Sequence, residues 1–301
     1  MSRVTRRAFV QGFLTAAGLS GLHDYASQAA ASESTRFEGL TPLGKVAPRD
    51  ASTIDASPLS VGFETLDRKM FDPERTYSHV AKLGAKWART HTGWCRTERT
   101  RGQYDFAWLD SVVDSLRRIG VQPWFCVGFG NSLYSPESPD EFAVGCVPTR
   151  TPEATTAWLR YVGKLAEHFR GRVQHFEIWN EPNAKSFWQP EGAQPEEYIK
   201  LVELTAPVIR RRVEDAVIVG GAVMGMNTRF FEGCMERGLG QLIDKASFHS
   251  YRFLPEKNYE NDIGRWRAII AKHAPGIPLW HGEVGAASQP GGAGGRADYP
   301  W

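Results

Sequence analysis

Val173-Gln-His-Phe-Glu-Ile-Trp-Asn-Glu-Pro-Asn183 is the stretch on which the fold turns. It begins as an apolar, aromatic-rich strand and stops at Asn180-Glu181-Pro182. A proline has no N–H to give to a sheet, and its ring biases the residue before it toward an extended backbone. The stretch therefore reads as a strand whose carboxyl end carries a carboxylate, Glu181, beside an amide, Asn180. The period of two along a strand groups Glu177, Trp179 and Glu181 on one face. An ordinary strand-to-loop transition looks the same in isolation, so the flanks decide.

Outward from this strand the chain alternates. Strands are expected over 59–63, 86–89 and 121–127 before it, and over 217–219, 246–251 and 277–283 after it. Between them the apolar spacing and the start and stop residues predict helices over 72–83, 104–119, 152–169, 195–213, 230–237 and 259–273. Apolar strands separated by helices mean parallel strands covered by helices. An open doubly wound sheet for nucleotides needs a Gly-rich phosphate loop after an early strand, and Gly62-Phe63-Glu64 is not one. In a barrel the functional groups collect at the carboxyl ends of many strands. Here those ends carry Glu64, Arg89, Asn131, Asn180, Glu181, His249, Tyr251 and Glu283. The expected fold class is α/β, a (β/α)8 TIM-type barrel over residues 58–301. After Glu283 there is no room for a seventh helix, an eighth strand or a last helix. The barrel is thus expected to be C-terminally incomplete, a truncated version of a longer enzyme, with two strand edges left open.

Residues 1–31 read as a removable address. Thr5-Arg6-Arg7-Ala8-Phe9-Val10 is a twin-arginine pattern, a short apolar stretch follows, and Ala29-Ala30-Ala31 offers a cleavage site. The expected localisation is export to the periplasm or beyond, with residues 32–57 as linker and lead-in. The leader's three arginines against Asp24 account for the whole net charge of +2. The remaining neutral domain gives no electrostatic argument for nucleic acid or an anionic membrane surface. Cys95, Cys126, Cys146 and Cys234 lack metal spacing. Cys126 and Cys146 bracket one loop and are compatible with either a pair or two buried thiols.

The chemistry comes from a second carboxylate. Pro278-Leu-Trp-His-Gly-Glu283 is another apolar strand ending in an acid, and the period of two puts His281 and Glu283 on one face. Strands four and seven lie across a barrel mouth, so Glu181 and Glu283 are placed to face one another. A pair of carboxyl groups is what glycosidic cleavage uses, one as acid and one as nucleophile or base. The sequence resembles the clan A glycoside hydrolases, and within them glycoside hydrolase family 39 and its bacterial relatives. The likeness lies in Phe176-Glu-Ile-Trp-Asn-Glu-Pro-Asn183, Gly62-Phe-Glu-Thr-Leu-Asp-Arg68, Ala88-Arg-Thr-His-Thr-Gly-Trp94, Gly102-Gln-Tyr-Asp-Phe-Ala-Trp-Leu-Asp110 and Val121-Gln-Pro-Trp124, with Glu283 ending the seventh strand.

This resemblance implies a retaining double displacement on a β-linked sugar of xyloside or uronide type. Glu181 would be acid/base and Glu283 nucleophile, with Asn180 bonding the neighbouring sugar hydroxyl and Arg89 keeping the nucleophile ionised. His249 and Tyr251 would touch the sugar and the nucleophile. Glu64 and Asp67 would bind sugar or hold Arg68, Asn131 would rim the cavity or serve a turn, and Trp94, Trp179 and Trp280 suit either a sugar-stacking platform or the core. A carbohydrate substrate is the expected partner, with no cofactor and no metal. Two other readings stand beside it. One is a non-catalytic or degenerate glycan-binding barrel; the weaker is a metal-dependent hydrolase using His281, Glu283 and His249.

Overall fold

The computed structural model describes residues 44, 45, 47–252 and 257–285. The twin-arginine stretch, most of the lead-in and the segment after Gly285 lie outside the described residues. The chain divides into two compact units, Met1–Ala47 and Pro48–Trp301, and the second carries the fold. Among the described residues seven parallel strands follow one another in sequence order: β1 Ser60–Phe63, β2 Trp87–His91, β3 Gln122–Val127, β4 His175–Ile178, β5 Val217–Met224, β6 Lys245–His249 and β7 Leu279–Glu283. The sheet curls until β7 comes back near β2. Trp280 of β7 packs its ring 5.7 Å from Trp87 of β2 and 5.2 Å from Trp124 of β3. The architecture is an incomplete (β/α)8 barrel, nearly closed. No described helix is long and apolar enough to cross a membrane.

The helices are α1 Tyr77–Val80, α2 Trp94–Thr97, α3 Ala107–Arg118, α4 Pro152–His168, α5 Pro195–Arg210, α6 Thr228–Glu236, α7 Leu239–Leu242 and α8 Tyr259–His273. Their starts are chemically marked. Thr151 accepts from the Ala154 N–H ahead of a proline at the first turn of α4, and Asn227 accepts from Phe230 N–H to start α6. The helix expected over 72–83 is broken into a 3-10 turn, Pro73–Arg75, and the single turn α1. Part of the lead-in belongs to the packing of the barrel. Ala51 is fully buried, and the Lys86 ammonium donates to its carbonyl. All four cysteines are free thiols.

Inside the barrel the side chains stack in layers, as the alternation of strand faces requires. At the amino-terminal end Trp87, Trp124, His175 and Trp280 fill the lumen, His175 lying flat on Trp280 at 5.3 Å. Above them sit Arg89, Cys126, Glu177 and Ser247, all fully buried. Tyr198 of α5 ties the outer layer to the mouth. Its hydroxyl donates to the Ile178 carbonyl at 3.0 Å and accepts from Gly221 N–H at 2.8 Å. Those bonds hold the end of β4 against an irregularity in β5 between Gly220 and Val223.

Candidate active site

The last residues of β4 do not continue the strand. Trp179 and Glu181 both take positive φ, 69° and 44°, a conformation that costs about 1–3 kcal/mol for a residue with a β-carbon and is held by its surroundings. Trp179 swings outward, where Phe129, Trp158 and Trp188 surround its ring at 5.8–5.9 Å. Its indole N–H donates to the Phe187 carbonyl at 2.8 Å. Glu181 N–H reaches the Ala222 carbonyl at 2.9 Å, and the Asn183 side chain exchanges two bonds with the backbone of Met224, at 2.8 and 3.0 Å. Two sequence expectations are corrected here. Pro182 does not keep Glu181 extended, because the bonds to β5 override the local bias. Trp179 leaves the face of Glu177 and Glu181, because a left-handed residue breaks the period of two.

The end of β7 departs from regularity as well. Its register against β6 shifts between Phe248 and His249, so His249 pairs with Glu283. A β-carbon at Gly282 would come 2.8 Å from Ser247 Oγ and 3.1 Å from His249 Nε2, so the position suits glycine. The shift turns His281 out and Glu283 in. His281 stacks on Phe248 at 4.5 Å, and its Nδ1 meets the Tyr259 hydroxyl of α8 at 3.0 Å. The trio of His281, Glu283 and His249 expected for a metal reading is therefore not formed.

Glu283 faces Arg89. The buried guanidinium donates to Glu283 Oε2 at 2.9 Å, to Glu64 Oε1 at 3.3 Å, to Asn180 Oδ1 at 2.9 Å, and through Nε and Nη2 to Glu177 Oε2 at 2.8 and 2.5 Å. Burial opposes the charge on Arg89, yet the anionic groups around it overcome this and hold its pKa well above the ordinary value. Burial would likewise push Glu177 up, but Arg89, His249 and the Ser247 hydroxyl outweigh it and lower its pKa to about 2. Glu64 goes the other way, raised mainly by burial and opposed by Arg89.

His249 is the hinge of the constellation. Its Nδ1 lies 3.2 Å from Glu181 Oε1 and 3.6 Å from Glu283 Oε2, and oxygens of the two carboxyl groups lie within 4.8 Å of one another. Burial and Arg89 act to lower the pKa of His249, but the Glu177 carboxylate 3.9 Å from Nε2 and the Glu181 carboxyl at Nδ1 prevail and raise it. The Tyr251 hydroxyl donates to Glu283 Oε1. Burial and that bond both raise the phenol's pKa. Glu181, His249 and Glu283 could each lend one atom to a cation. However, Arg89 already occupies Glu283 with a positive charge, which argues against a second cation beside it.

Of the residues expected from sequence, Glu64, Arg89, Asn180, Glu181, His249, Tyr251 and Glu283 converge at the carboxyl-end mouth of the barrel. Trp94 and Asn131 do not. Trp94 is sandwiched between Tyr134 and Tyr161 at 5.3 and 5.6 Å and donates to Glu98 at 2.6 Å. Asn131 spends its amide nitrogen on the Glu98 carbonyl and its oxygen on Leu133 N–H, both at 2.9 Å. Both brace the loops after β2 and β3. Trp280 lies on the lumen floor, so none of the three tryptophans offers a sugar platform. Sequence reasoning did not single out Glu177, Ser247 or His91 as site residues. An ionisable Glu177 between Phe176 and Ile178 was the available signal, since a buried charge requires a partner.

A barrel whose fourth and seventh strands end in facing carboxyl groups has the layout of the clan A glycoside hydrolases. The chain belongs to glycosyl hydrolases family 39, whose profile matches residues 65–269. It is 30% identical over 193 residues to a β-xylosidase of Geobacillus stearothermophilus and 27% identical over 198 residues to one of Caldicellulosiruptor saccharolyticus. Each match covers 56% of this chain and 37% of the relative, so the chain matches little more than a third of the length of these relatives. Among solved structures, a family 39 β-xylosidase from Caulobacter crescentus superposes with a TM-score of 0.62 at 22% identity, over 82% of this chain and 57% of that one. The family 39 enzyme of Xanthomonas axonopodis pv. citri gives 0.56 at 23% identity, over 81% and 53%. At these identities the structures speak for the fold.

Proposed function

We propose that the chain carries the catalytic face of a retaining glycoside hydrolase cleaving β-linked, xylose-type sugars by double displacement. Glu181 protonates the leaving oxygen while Glu283 attacks the anomeric carbon, and Glu181 then takes a proton from the water that releases the sugar. The observation that carries this reading is the approach of the two carboxyl groups to within 4.8 Å, oxygen to oxygen. Retaining enzymes hold the pair about 5–5.5 Å apart, whereas inverting ones leave about 6.5–9.5 Å for a water. Arg89 and the Tyr251 hydroxyl grip the two oxygens of Glu283 and aim it. Asn180 has its oxygen committed to Arg89, so its nitrogen remains to donate to a sugar hydroxyl. The names of the curated relatives support xylose as the sugar, and the twin-arginine pattern supports export.

The test uses aryl β-xylosides with good leaving groups and the variants Glu181→Gln and Glu283→Gln. Glu283→Gln should abolish both steps. Glu181→Gln should still form the glycosyl-enzyme from an activated substrate, giving a burst followed by slow release. Undiminished turnover by either variant would refute the assigned roles.

A glycan-binding barrel without turnover is the second reading. It is favoured by the half-buried state of β7 and the 47% exposure of Tyr251, which leave the Glu283 side of the site less enclosed than the Glu181 side. Glycan binding with no hydrolysis across a panel of aryl glycosides would support it.

A further inference from the structure

Beside the carboxylate cluster, on the same carboxyl-end face of the barrel, the turn after β1 and the loops after β2 and β3 enclose a cleft of about 440 Å³. Arg68, Lys69, Arg96 and Arg99 line it. Against them stand Glu98 and Glu141 in the lining and Asp67, which pairs with Arg68 at 3.3 Å, so the local balance is one positive charge. Glu98 is buried and already accepts from Trp94 Nε1, the Tyr134 hydroxyl and Gly102 N–H at 2.6–2.7 Å, while Glu141 is exposed. The side chains of Lys69 and Arg99 are exposed and make no ion pair among the described residues. Burial and the neighbouring Arg99 lower the pKa of Arg96, as expected where cations crowd. The domain beyond the leader is neutral, so the positive balance of this cleft, carried by the exposed Lys69 and Arg99, is local rather than part of a general excess of base.

The cleft is also joined to the reacting carboxylates. Arg68 Nη2 lies 3.4 Å from His91 Nδ1, His91 Nε2 lies 3.3 Å from Arg89 Nη1, and Arg89 Nη1 lies 2.9 Å from Glu283. Both ring nitrogens of His91 face guanidinium donors, and a neutral imidazole has one acceptor. Burial, followed by the charges of Arg89 and Arg68, keeps His91 neutral by lowering its pKa. Arg89 Nη1 already donates to Glu283 and Glu64, so the acceptor of His91 faces Arg68 Nη2. Among the described residues the Arg68 side chain otherwise bonds only Asp67, through Nε at 3.3 Å, which leaves Nη1 to face a ligand in the cleft. We infer that this cleft is a subsite for an anionic substituent, a carboxylate or a sulfate ester, carried by the glycan whose β-linked sugar is cleaved between Glu181 and Glu283. The inference takes its glycan from the glycosidase reading above.

The experiment is calorimetric titration of the Glu181→Gln chain with three ligands. These are a neutral β-1,4-linked xylose oligosaccharide, the same backbone bearing one hexuronic acid branch, and the same backbone bearing one sulfate ester. At low salt at least one acidic ligand should bind about five- to tenfold tighter than the neutral one, and which does so identifies the anion. The advantage should collapse at high salt, where screening reaches into an open cleft, and in the chain that also carries Lys69→Ala and Arg99→Ala. Equal affinities for all three, including no measurable binding of any, would overturn the inference. So would an acid preference that survives the double replacement. Turnover of aryl β-xylosides by the unmodified chain is read separately. Turnover without acid preference sinks the cleft alone, and acid-selective binding without turnover sinks the hydrolytic reading alone.

Discussion

Replacing Glu177 with glutamine keeps the shape of the residue and removes the charge that faces Arg89 at the centre of the barrel. Glu177 is fully buried, its pKa is lowered from 4.5 to about 2, and the forces holding it there are Arg89, His249 and Ser247, working against burial. The sign follows from the direction. A carboxylate whose pKa is lower in the folded chain contributes stability that is fully present above pH 4.5 and is lost as the pH falls toward 2. At 1.36 kcal/mol for each pH unit, that contribution is about 3 kcal/mol. Its size agrees with the cost of breaking a buried ion pair, about 3–5 kcal/mol. Glu64 acts in the opposite sense. Its raised pKa favours folding at acid pH and offsets part of the loss. The quantity to measure is therefore the difference between the unmodified chain and Glu177→Gln, by urea unfolding at several values from pH 7 to pH 3. The variant should be less stable by about 3 kcal/mol at pH 7, with the gap closing steadily below pH 4.5. Ser247→Ala, which removes one donor to Glu177, should show the same pH dependence at about 1 kcal/mol, and it serves if the glutamine variant does not fold. A gap that stays constant from pH 7 to pH 3 in both variants would refute the reasoning.

A β-carbon at Gly62 would fall 2.2 Å from Glu64 Oε2, so Gly62→Ala should swing the Glu64 carboxyl away from Arg89. The variant should share the kinetic defect of Glu64→Ala, and combining the two should add little. Asn131→Ala should cost about 1–3 kcal/mol in thermal or urea unfolding, because buried carbonyls lose their donor, while KM for aryl xylosides stays unchanged. The raised pKa of His249 makes its contribution to stability fully present below pH 6.5 and lost as the pH rises through the folded value. Unfolding measured from pH 6 to pH 9 should show an alkaline loss in the unmodified chain that His249→Asn lacks.

The barrel was legible because apolar strands and helical spacing alternate with little ambiguity, and strand ends are where a barrel displays chemistry. That logic reaches Glu64, Asn180, Glu181, His249, Tyr251 and Glu283, each at or just beyond the carboxyl end of a strand. Arg89, expected at the end of its strand, lies in the middle of β2 because that strand runs on to His91, and it meets the site through its length. It fails where the backbone leaves regular geometry. Period-two counting put Trp179 beside Glu181 and His281 beside Glu283. Positive φ at Trp179 and the register shift before His249 reverse those assignments. Neither is written in the residue types at these positions, apart from Gly282. Trp94 and Asn131 show a different limit. They follow strand ends by several residues, and by then the direction of a side chain is set by the turns of the loop rather than by the strand. Glu98, buried and accepting from Trp94, Tyr134 and Gly102, organises those turns. Only the folded chain brings these groups together.

The deviations from regularity and the site are connected by cause. A regular β4 would leave Trp179 and Glu181 on the same lumen-facing side, and a regular β7 would bring His281 inward with Glu283. The left-handed turn moves an indole out to the aromatic cluster around Trp158. The shift in β7 moves an imidazole out to Phe248 and Tyr259. What remains at the mouth is a carboxyl group on each side of one histidine nitrogen. Strain at Glu181 is held by packing and backbone bonds some distance from the chemistry: Trp179 against Phe187, Glu181 against Ala222, and Tyr198 against Ile178 and Gly221. Tyr198→Phe, which touches no group at the mouth, removes two of those bonds. It should therefore lower kcat for aryl xylosides along with stability. Lost stability with unchanged kcat would show that the bonds below Glu181 do not set its position.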